Sequence, residues 1–160
     1  MPSETSIRVR YAETDQMGVV YHANYFIWFE VGRVELIRQM GFDYRTMEQE
    51  DGIKIAVVEA TCRYKSPARY DDQLIVRTRI AESRGSILRF AYKLHRAADD
   101  HLLAEAATTH IVVNREMQRA PMPQRYADAF AAAQSDNQSG FRVGVENREQ
   151  QNPAADSLRE

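Results

Sequence analysis

Cysteine is almost absent from this sequence: Cys62 is the only one in 160 residues. A single thiol cannot form a disulfide within the chain. The residues around it read EATCRY, a composition that is typical of a β-strand. We therefore interpret Cys62 as a structural, reduced thiol and not as a reactive one.

The sequence also lacks an excess of positive charge and any long apolar run. Its 21 Lys and Arg residues against 23 Asp and Glu residues give a formal net charge of −2, so composition does not support nucleic-acid binding. No segment approaches the roughly 18 apolar residues that a membrane span needs. The start, MPSETSIRVR, lacks the apolar core of a secretory signal. These absences predict a soluble, cytoplasmic protein.

The composition suits one compact domain. Hydrophobic residues make up 44% of the chain and charged residues 28%, which is enough apolar material for a full core. From residue 134 onwards the sequence becomes polar and poor in large apolar side chains, as flexible termini usually are. We predict a domain over residues 1–133 and a flexible C-terminal tail over residues 134–160.

Hydrophobic periodicity predicts an α+β domain with one long helix. Residues 23–40 are apolar on nearly every side, which is typical of a buried helix, and Asn24 is the expected N-cap. Alternating apolar residues predict strands at 7–11, 53–64, 74–80, 88–95 and 101–114. The short links SRGS and AADD favour an antiparallel meander of the last three strands. We expect these long strands to wrap around the helix, with a second helix at 124–133.

The loop between the first strand and the long helix reads YAETDQMGVVYHANY and places Asp15, Gly18 and His22 before the helix start. Taken singly, Asp15 is typical of a turn or cap, and His22 of a hydrogen-bonded structural histidine. Together they suggest a site, because a helix N-terminus presents unpaired N–H groups and partial positive charge to a developing oxyanion. Asp15 would act as a nucleophile or as a base that activates water. The pattern fits acyl transfer to water.

Other chemistries find little support in the sequence. His95, His101 and His110 lack metal-ligand spacing, and there is no GxSxG, phosphate-binding or dinucleotide motif. The Asp71-Asp72 pair is typical of a turn that enters a strand. We predict no metal and no cofactor.

The segment RYAETDQMGVVYHANYFIWFEVGRVELIRQMG resembles the hot-dog-fold acyl-CoA thioesterases of the 4-hydroxybenzoyl-CoA thioesterase type, in the branch associated with the Tol–Pal envelope system. The resemblance continues through YKSPARYDDQLIVRT and AEAATTHIVVN and covers roughly residues 5–125. It implies a long helix wrapped by a five-stranded antiparallel sheet, assembled as a homodimer or homotetramer with active sites at the dimer interface. It also implies an acyl-CoA substrate.

The resemblance further implies roles for single residues. Asp15 matches the catalytic carboxylate, and the backbone N–H of His22 matches the oxyanion donor, with the imidazole as a second catalytic contribution. The expected substrate contacts are Gly18, Val19 and Tyr25 around the acyl thioester and the cations Lys65 and Arg69 at the phosphates of CoA, with Arg84 and Arg89 behind them.

Two other functions remain open at this point. A dehydratase on the same fold would pair a loop histidine with an acid on the neighbouring subunit's helix, whereas here the aspartate precedes the histidine in the loop. A non-enzymatic module that binds acyl-CoA or acyl carrier protein, with a role in envelope maintenance, would have no evident use for Asp15.

Overall fold

The computed structural model of the protein describes residues 2–136. Its elements are, in order, β1 (Ser3–Arg8), a 3-10 turn (Tyr11–Glu13), α1 (Asn24–Gln39), α2 (Tyr44–Gln49), β2 (Lys54–Tyr64), β3 (Gln73–Arg84), β4 (Ile87–Arg96), β5 (His101–Val113) and α3 (Gln124–Asp136). Within that range no helix is long and apolar enough to cross a membrane.

The strands form one five-stranded sheet in the order β1-β3-β4-β5-β2, and every neighbouring pair is antiparallel. The predicted five-stranded antiparallel sheet and the meander of β3, β4 and β5 are therefore confirmed. β2 pairs only with β5, so within the described residues its other edge is open. Register shifts interrupt three of the pairings, and such bulges bend long strands.

Helix α1 packs one face against the sheet. Its buried residues recur at helical spacing and are Tyr25, Trp28, Phe29, Gly32, Leu36 and Ile37. Gly32 allows the closest approach, because a Cβ there would lie 2.6 Å from Thr78 Oγ1 and 2.8 Å from Val76 Cγ1. On the opposite face Ile27 and Val31 are 53% and 38% exposed, so the prediction of a helix buried on nearly every side is wrong for a single subunit.

The first strand ends earlier than its apolar alternation predicts. The pattern runs from residue 7 to residue 11, but β1 stops at Arg8. After Arg8, the carboxylate of Glu13 accepts the N–H of Arg10 at 2.7 Å. This hydrogen bond stabilises the start of the 3-10 turn in place of a longer strand. A side chain three residues ahead thus overrides the strand pattern.

The predicted N-cap of α1 is also wrong. Ala23 occupies the N-cap position and offers no side-chain hydrogen bond. The amide of Asn24 instead donates to the backbone oxygen of Glu13 at 2.8 Å, so it binds the preceding loop and not its own helix. Asn24 is therefore the first helical residue.

Two differences concern the shorter helices. α2 was not predicted from the sequence, although Asp43 is a typical N-cap residue: its side chain accepts the N–H of Arg45 at 2.9 Å. The second predicted helix is present as α3 and continues to Asp136, three residues beyond the predicted domain end. The rest of the predicted tail lies outside the described residues.

A chain of polar side chains crosses the core between α1 and the sheet. Arg33 on α1 donates to the hydroxyl of Tyr92 at 3.2 Å, and that hydroxyl lies 2.7 Å from Thr108 Oγ1. Thr108 Oγ1 in turn lies 2.8 Å from Nε2 of His110, which is fully buried. Nδ1 of His110 has no hydrogen-bond partner in the described part of the chain. Burial, with a smaller contribution from the charge of Arg33, lowers the pKa of His110 to about 4.

This pKa predicts a pH-dependent stability. A histidine in the unfolded chain titrates near pH 6.5. Between about pH 6.5 and pH 4, His110 is therefore protonated in the unfolded chain and neutral in the folded protein. The contribution of His110 to the free energy of unfolding is complete above that pH range. It falls as the pH drops through the range, by about 3 kcal/mol in total. Urea unfolding at a series of pH values measures the loss, and His110→Gln should flatten this part of the profile.

His101→Gln, on an exposed histidine at the start of β5, supplies a matched control for the substitution itself. Burial also lowers the pKa of His95, so His95 contributes to any slope that remains in His110→Gln. Equal slopes for the wild type and His110→Gln would contradict the assignment.

Candidate active site

The loop before α1 closes on itself like a small hairpin. Thr14 and Val20 form an isolated antiparallel bridge, and inside it the N–H of Asp15 donates to the Val19 carbonyl at 2.8 Å. The N–H of Gly18 returns to the Asp15 carbonyl at 3.0 Å. Gly18 has a φ of +75°, a left-handed conformation that favours glycine although the space around it is open. These hydrogen bonds and the conformation of Gly18 therefore define the backbone of the turn that carries Asp15.

The carboxylate of Asp15 has one engaged oxygen and one available oxygen. Its Oδ1 accepts the N–H of Met17 at 2.8 Å, which is the ordinary turn role of an aspartate. Within residues 2–136, Oδ2 has no hydrogen-bond partner, and the residue is only half-buried. The turn role therefore orients the carboxylate and leaves Oδ2 for another partner.

The start of α1 presents two free N–H groups. The N–H of Tyr21 donates to the Glu13 carbonyl at 2.9 Å, and that of Asn24 donates to the Tyr21 carbonyl at 3.0 Å. His22 and Ala23 lie between them, are exposed, and find no acceptor for their N–H groups in the described chain. A helix N-terminus adds partial positive charge at the same place. Such a position can bind an oxyanion.

Glu13 connects the loop to the helix, a role that the sequence analysis missed. Its buried carboxylate accepts the N–H of Arg10 at 2.7 Å, the Arg10 guanidinium at 3.1 Å and the indole N–H of Trp28 at 3.1 Å. Its backbone oxygen accepts the N–H of Tyr21 and the side chain of Asn24. Burial alone would raise the pKa of Glu13, but these hydrogen bonds and the charge of Arg10 lower it below its ordinary value. Glu13 is therefore a charged anchor.

The end of β2 and the segment after it form a second wall. The hydroxyl of Tyr64 donates to the carbonyl of His22 at 2.9 Å. The carbonyl of Ala68 accepts the N–H of Val20 at 2.8 Å, while the N–H of Ala68 donates to the Tyr25 hydroxyl at 3.1 Å. The structure thus brings Asp15, Gly18 and His22 into one loop that is tied on two sides.

Two of the predicted acyl contacts have structural roles within the subunit. Tyr25 is buried, with its hydroxyl used by Ala68 and its ring 4.9 Å from that of Tyr64. Val19 is half-buried, and its carbonyl is used by Asp15. Their contact with a substrate stays a prediction.

The predicted phosphate-binding cations are dispersed. Lys65 pairs with Glu105 at 3.4 Å, while the exposed Arg69 forms no ion pair among the described residues. Arg84 ends β3 at the opposite end of the sheet from the loop, and Arg89 lies on the outer face. Within one subunit, the prediction that Arg84 stands behind Lys65 and Arg69 is wrong, because β3 leads away from the loop.

No group of three or more His, Cys, Asp and Glu side chains in the described range is placed to hold a metal ion. The candidate site described above comprises the carboxylate of Asp15, the side chain of His22 and the backbone N–H groups before α1.

Comparison with known proteins gives a family match over most of the chain. The model of the thioesterase-like superfamily matches residues 9–133. The chain belongs to the thioesterase-like superfamily. Among its relatives, the YneP protein of Bacillus subtilis is 43% identical over 71% of this chain and 81% of its own. The acyl-CoA thioester hydrolase YbgC of Escherichia coli O6:H1 is 36% identical over 68% of this chain and 79% of its own.

Solved structures of this superfamily share the fold. A DHNA-CoA thioesterase from Staphylococcus aureus superposes with a TM-score of 0.79 at 31% identity, covering 89% of this chain and 97% of that one. The thioesterase-like match confirms the predicted hot-dog fold and the predicted thioesterase class of enzyme.

The anchor of this thioesterase-like loop can be tested on stability. Glu13→Gln keeps the shape but removes the charge, and it turns an NH₂ group toward donors that need an acceptor. We expect the free energy of unfolding to fall by about 2 kcal/mol at pH 7, as for a buried hydrogen-bonded charge left unsatisfied. Urea unfolding measures the change.

The pKa of Glu13 sets the sign of the pH dependence. Because folding lowers that pKa below the ordinary glutamate value of 4.5, the stability difference between wild type and variant is complete above about pH 4.5. The difference shrinks as the pH falls through the folded pKa. Glu116→Gln, on an exposed residue, is the control and should change nothing. A loss below about 0.5 kcal/mol in Glu13→Gln would remove the anchoring role.

Proposed function

We propose that this chain is an acyl-CoA thioesterase that hydrolyses an acyl-CoA to a free carboxylic acid and CoA. One observation carries the proposal: the unpaired N–H groups of His22 and Ala23 adjoin a loop in which Asp15 has a free carboxylate oxygen. A thioester carbonyl needs donors for its developing oxyanion and a nucleophile or base for its carbon. The acyl-CoA thioester hydrolase activity in the name of the E. coli relative supports the same substrate class.

The chemistry can follow two routes from this geometry. In the first, Asp15 removes a proton from water, and the resulting hydroxide attacks the thioester carbonyl carbon. In the second, the carboxylate itself attacks, and water then hydrolyses the mixed anhydride. In both routes the carbonyl oxygen becomes an oxyanion at the N–H of His22, and the C–S bond breaks to release CoA thiolate. A thiol with a pKa of about 8.5 leaves without a strong general acid.

The imidazole of His22 is available for a supporting role. Its ring is exposed and lies 4.5 Å from the ring of Tyr21 and 6.2 Å from that of Tyr64. We propose that it orients Asp15 or the substrate, or moves a proton, while its backbone N–H donates to the oxyanion.

Positively charged side chains on the outer face of the sheet support CoA as the thiol component of the thioester substrate. A cavity of about 580 Å³ lies there, and its cationic lining residues are Arg63, Arg79, Arg89 and Lys93. Glu105 in the same cavity pairs with Lys93 at 3.9 Å and with Lys65 at 3.4 Å. Arg63 precedes Tyr64 on β2, so this charged surface reaches the end of the strand that contacts the start of α1. We propose that the CoA phosphates bind along it, with Lys65 and Arg69 nearest the loop.

A second copy of the chain is part of the proposal. The open edge of β2 exposes Val57 and Val58, at 54% and 55%, and α1 exposes Ile27 and Val31. Unpaired strand edges and apolar surface of this kind favour association. We propose a homodimer, or a homotetramer built from it, in which the partner adds a wall to the acyl site around Gly18 and Val19.

The finer assignments rest on the loop motif. We place the chain in the 4-hydroxybenzoyl-CoA type, in its Tol–Pal-associated branch, as a cytoplasmic enzyme that could also accept acyl groups from acyl carrier protein. The motif RYAETDQMGVVYHANY supports this placement.

Asp15→Asn tests the reaction. Asparagine keeps an Oδ1 that can accept the N–H of Met17, so the loop should stay folded while the nucleophile or base is lost. We expect kcat to fall by about 100-fold or more, measured as thiol release from a panel of acyl-CoA substrates. Asp128→Asn, on the exposed face of α3, should keep full activity.

Near-normal turnover in Asp15→Asn would contradict the assignment of Asp15 as the nucleophile or general base. Wild-type protein that binds acyl-CoA without releasing thiol from any member of the panel would replace the enzyme with the acyl-CoA-binding module.

The outer cations can be tested with a truncated substrate. Arg63→Gln should raise the KM for an acyl-CoA about fivefold, equivalent to about 1 kcal/mol at 25 °C. It should leave kcat/KM unchanged for the same acyl group on N-acetylcysteamine, which has no phosphates, and the effect should shrink at high salt. Arg45→Gln removes the same charge from exposed α2 and is the control. An equal loss on both thioesters would exclude a phosphate contact.

A further inference from the structure

Tyr64 holds one peptide group at the start of α1. Its hydroxyl donates to the carbonyl of His22 at 2.9 Å, across 42 residues of sequence. The same carbonyl also receives the N–H of Tyr25, but at 3.4 Å, so the contact within the helix is the longer one. The orientation of this carbonyl therefore depends on a residue of β2 as well as on the helix.

The carbonyl of His22 and the N–H of Ala23 belong to one planar peptide unit. In a trans peptide the C=O and N–H bonds point in opposite directions within that plane, so fixing the oxygen also fixes the direction of the N–H. The N–H of Ala23 has no acceptor between residues 2 and 136, and Ala23 is exposed. Tyr64 thus aims a donor that the protein itself does not use.

Tyr64 is itself held in place. Its ring meets that of Tyr25 edge to face, with centroids 4.9 Å apart and planes at 84°. The Tyr25 hydroxyl accepts the N–H of Ala68, which prevents that ring from turning away. Partial burial of Tyr64, with the neighbouring Cys62, raises its pKa to about 12, so the hydroxyl stays a protonated donor at neutral pH.

We infer that Tyr64 is a positioning residue for the oxyanion site, and that the N–H of Ala23 is a second donor beside that of His22. The inference rests on the proposed thioester hydrolysis and deepens it. Tyr64 touches neither Asp15 nor the reacting atoms, so its contribution is the alignment of the peptide between residues 22 and 23 toward the carbonyl oxygen. Two aligned donors bind an oxyanion better than the ground-state carbonyl, so the benefit falls on kcat.

Tyr64→Phe removes the hydroxyl and keeps the ring. One oxyanion donor contributes roughly 10²–10³ in kcat, and a donor that is still present but less well aligned should lose part of that. We expect kcat for a good acyl-CoA to fall about tenfold with KM unchanged. The control is Tyr70→Phe, since the hydroxyl of exposed Tyr70 makes no hydrogen bond among the described residues. That variant should behave as wild type.

Two inhibitors separate positioning from a general structural role. An acyl-CoA analogue with a trifluoromethyl ketone in place of the thioester presents a tetrahedral oxyanion, whereas a thioether analogue has no carbonyl. Tyr64→Phe should bind the ketone about tenfold more weakly and the thioether as well as wild type does. Equal losses for both inhibitors, or a lower melting temperature with kcat unchanged, would overturn the inference.

The imidazole of His22 gives a further check. Tyr64 contacts the backbone oxygen of residue 22, so the tenfold effect of Tyr64→Phe should persist in a His22→Ala background. An effect that disappears there would mean that Tyr64 acts through the imidazole ring.

The outcomes also separate this inference from the proposed function. Wild-type protein without thioester hydrolysis rejects both, whereas an active wild type with a fully active Tyr64→Phe rejects the inference alone. If Tyr64→Phe does not fold, NMR of the wild type decides: the amide protons of His22 and Ala23 should both move downfield when the ketone binds. An unmoved Ala23 amide would overturn the second donor.

Discussion

The candidate site depends on the buried carboxylate of Glu13. A buried charge is costly unless hydrogen bonds replace its water, and here Arg10 and Trp28 supply three donors to the two carboxylate oxygens. The same residue's backbone oxygen accepts Tyr21 and Asn24. One residue thus connects the exit of β1, the loop and the first turn of α1. Any other path for the loop would leave that charge or its donors unpaired, so the position of Asp15 two residues later follows from this constraint.

The second constraint comes from distant sequence. Ala68 accepts the N–H of Val20, and Tyr64 binds the carbonyl of His22, so the loop takes its final shape only against the end of β2. These contacts require the sheet to be assembled with β2 beside β5, a pairing that is not between sequence neighbours. The site is therefore a product of the complete fold, and damage to the β2–β5 pairing should reach the loop through these two hydrogen bonds.

Local signals predicted the long helix, the antiparallel meander and the loop of interest. These signals were helical spacing, strand alternation with short links, and the placement of Asp15, Gly18 and His22 before the helix. The anchoring role of Glu13 could not be predicted this way. A glutamate in a turn has the same local sequence whether or not an indole fifteen residues later donates to it. Asn24 was assigned as a cap for the same reason: its actual acceptor, the Glu13 carbonyl, is a tertiary contact. The ion pair of Lys65 with Glu105 on the neighbouring strand β5 was missed too, because no spacing rule reveals it. The contact of Lys65 with a phosphate stays a prediction. The roles of Asp15 and His22 stay predictions.

The start of α1 has no side-chain cap at the place where a ligand would bind. A Ser, Thr, Asp or Asn at an N-cap typically stabilises a helix by about 0.5–2 kcal/mol relative to alanine, yet Ala23 occupies that position here. A carboxylate at residue 23 would place negative charge beside the proposed oxyanion, and a hydroxyl would hold water there. Asn24, which could have capped the helix, is bound to Glu13 instead. The helix thus begins without a side-chain cap. The exposed residues before it, His22 and Ala23, keep N–H groups without an acceptor among the described residues, while the surrounding loop is fixed by Glu13 and Tyr64. A substrate carbonyl that becomes an oxyanion here would meet N–H donors that are already oriented. These donors need not first break a hydrogen bond to another partner.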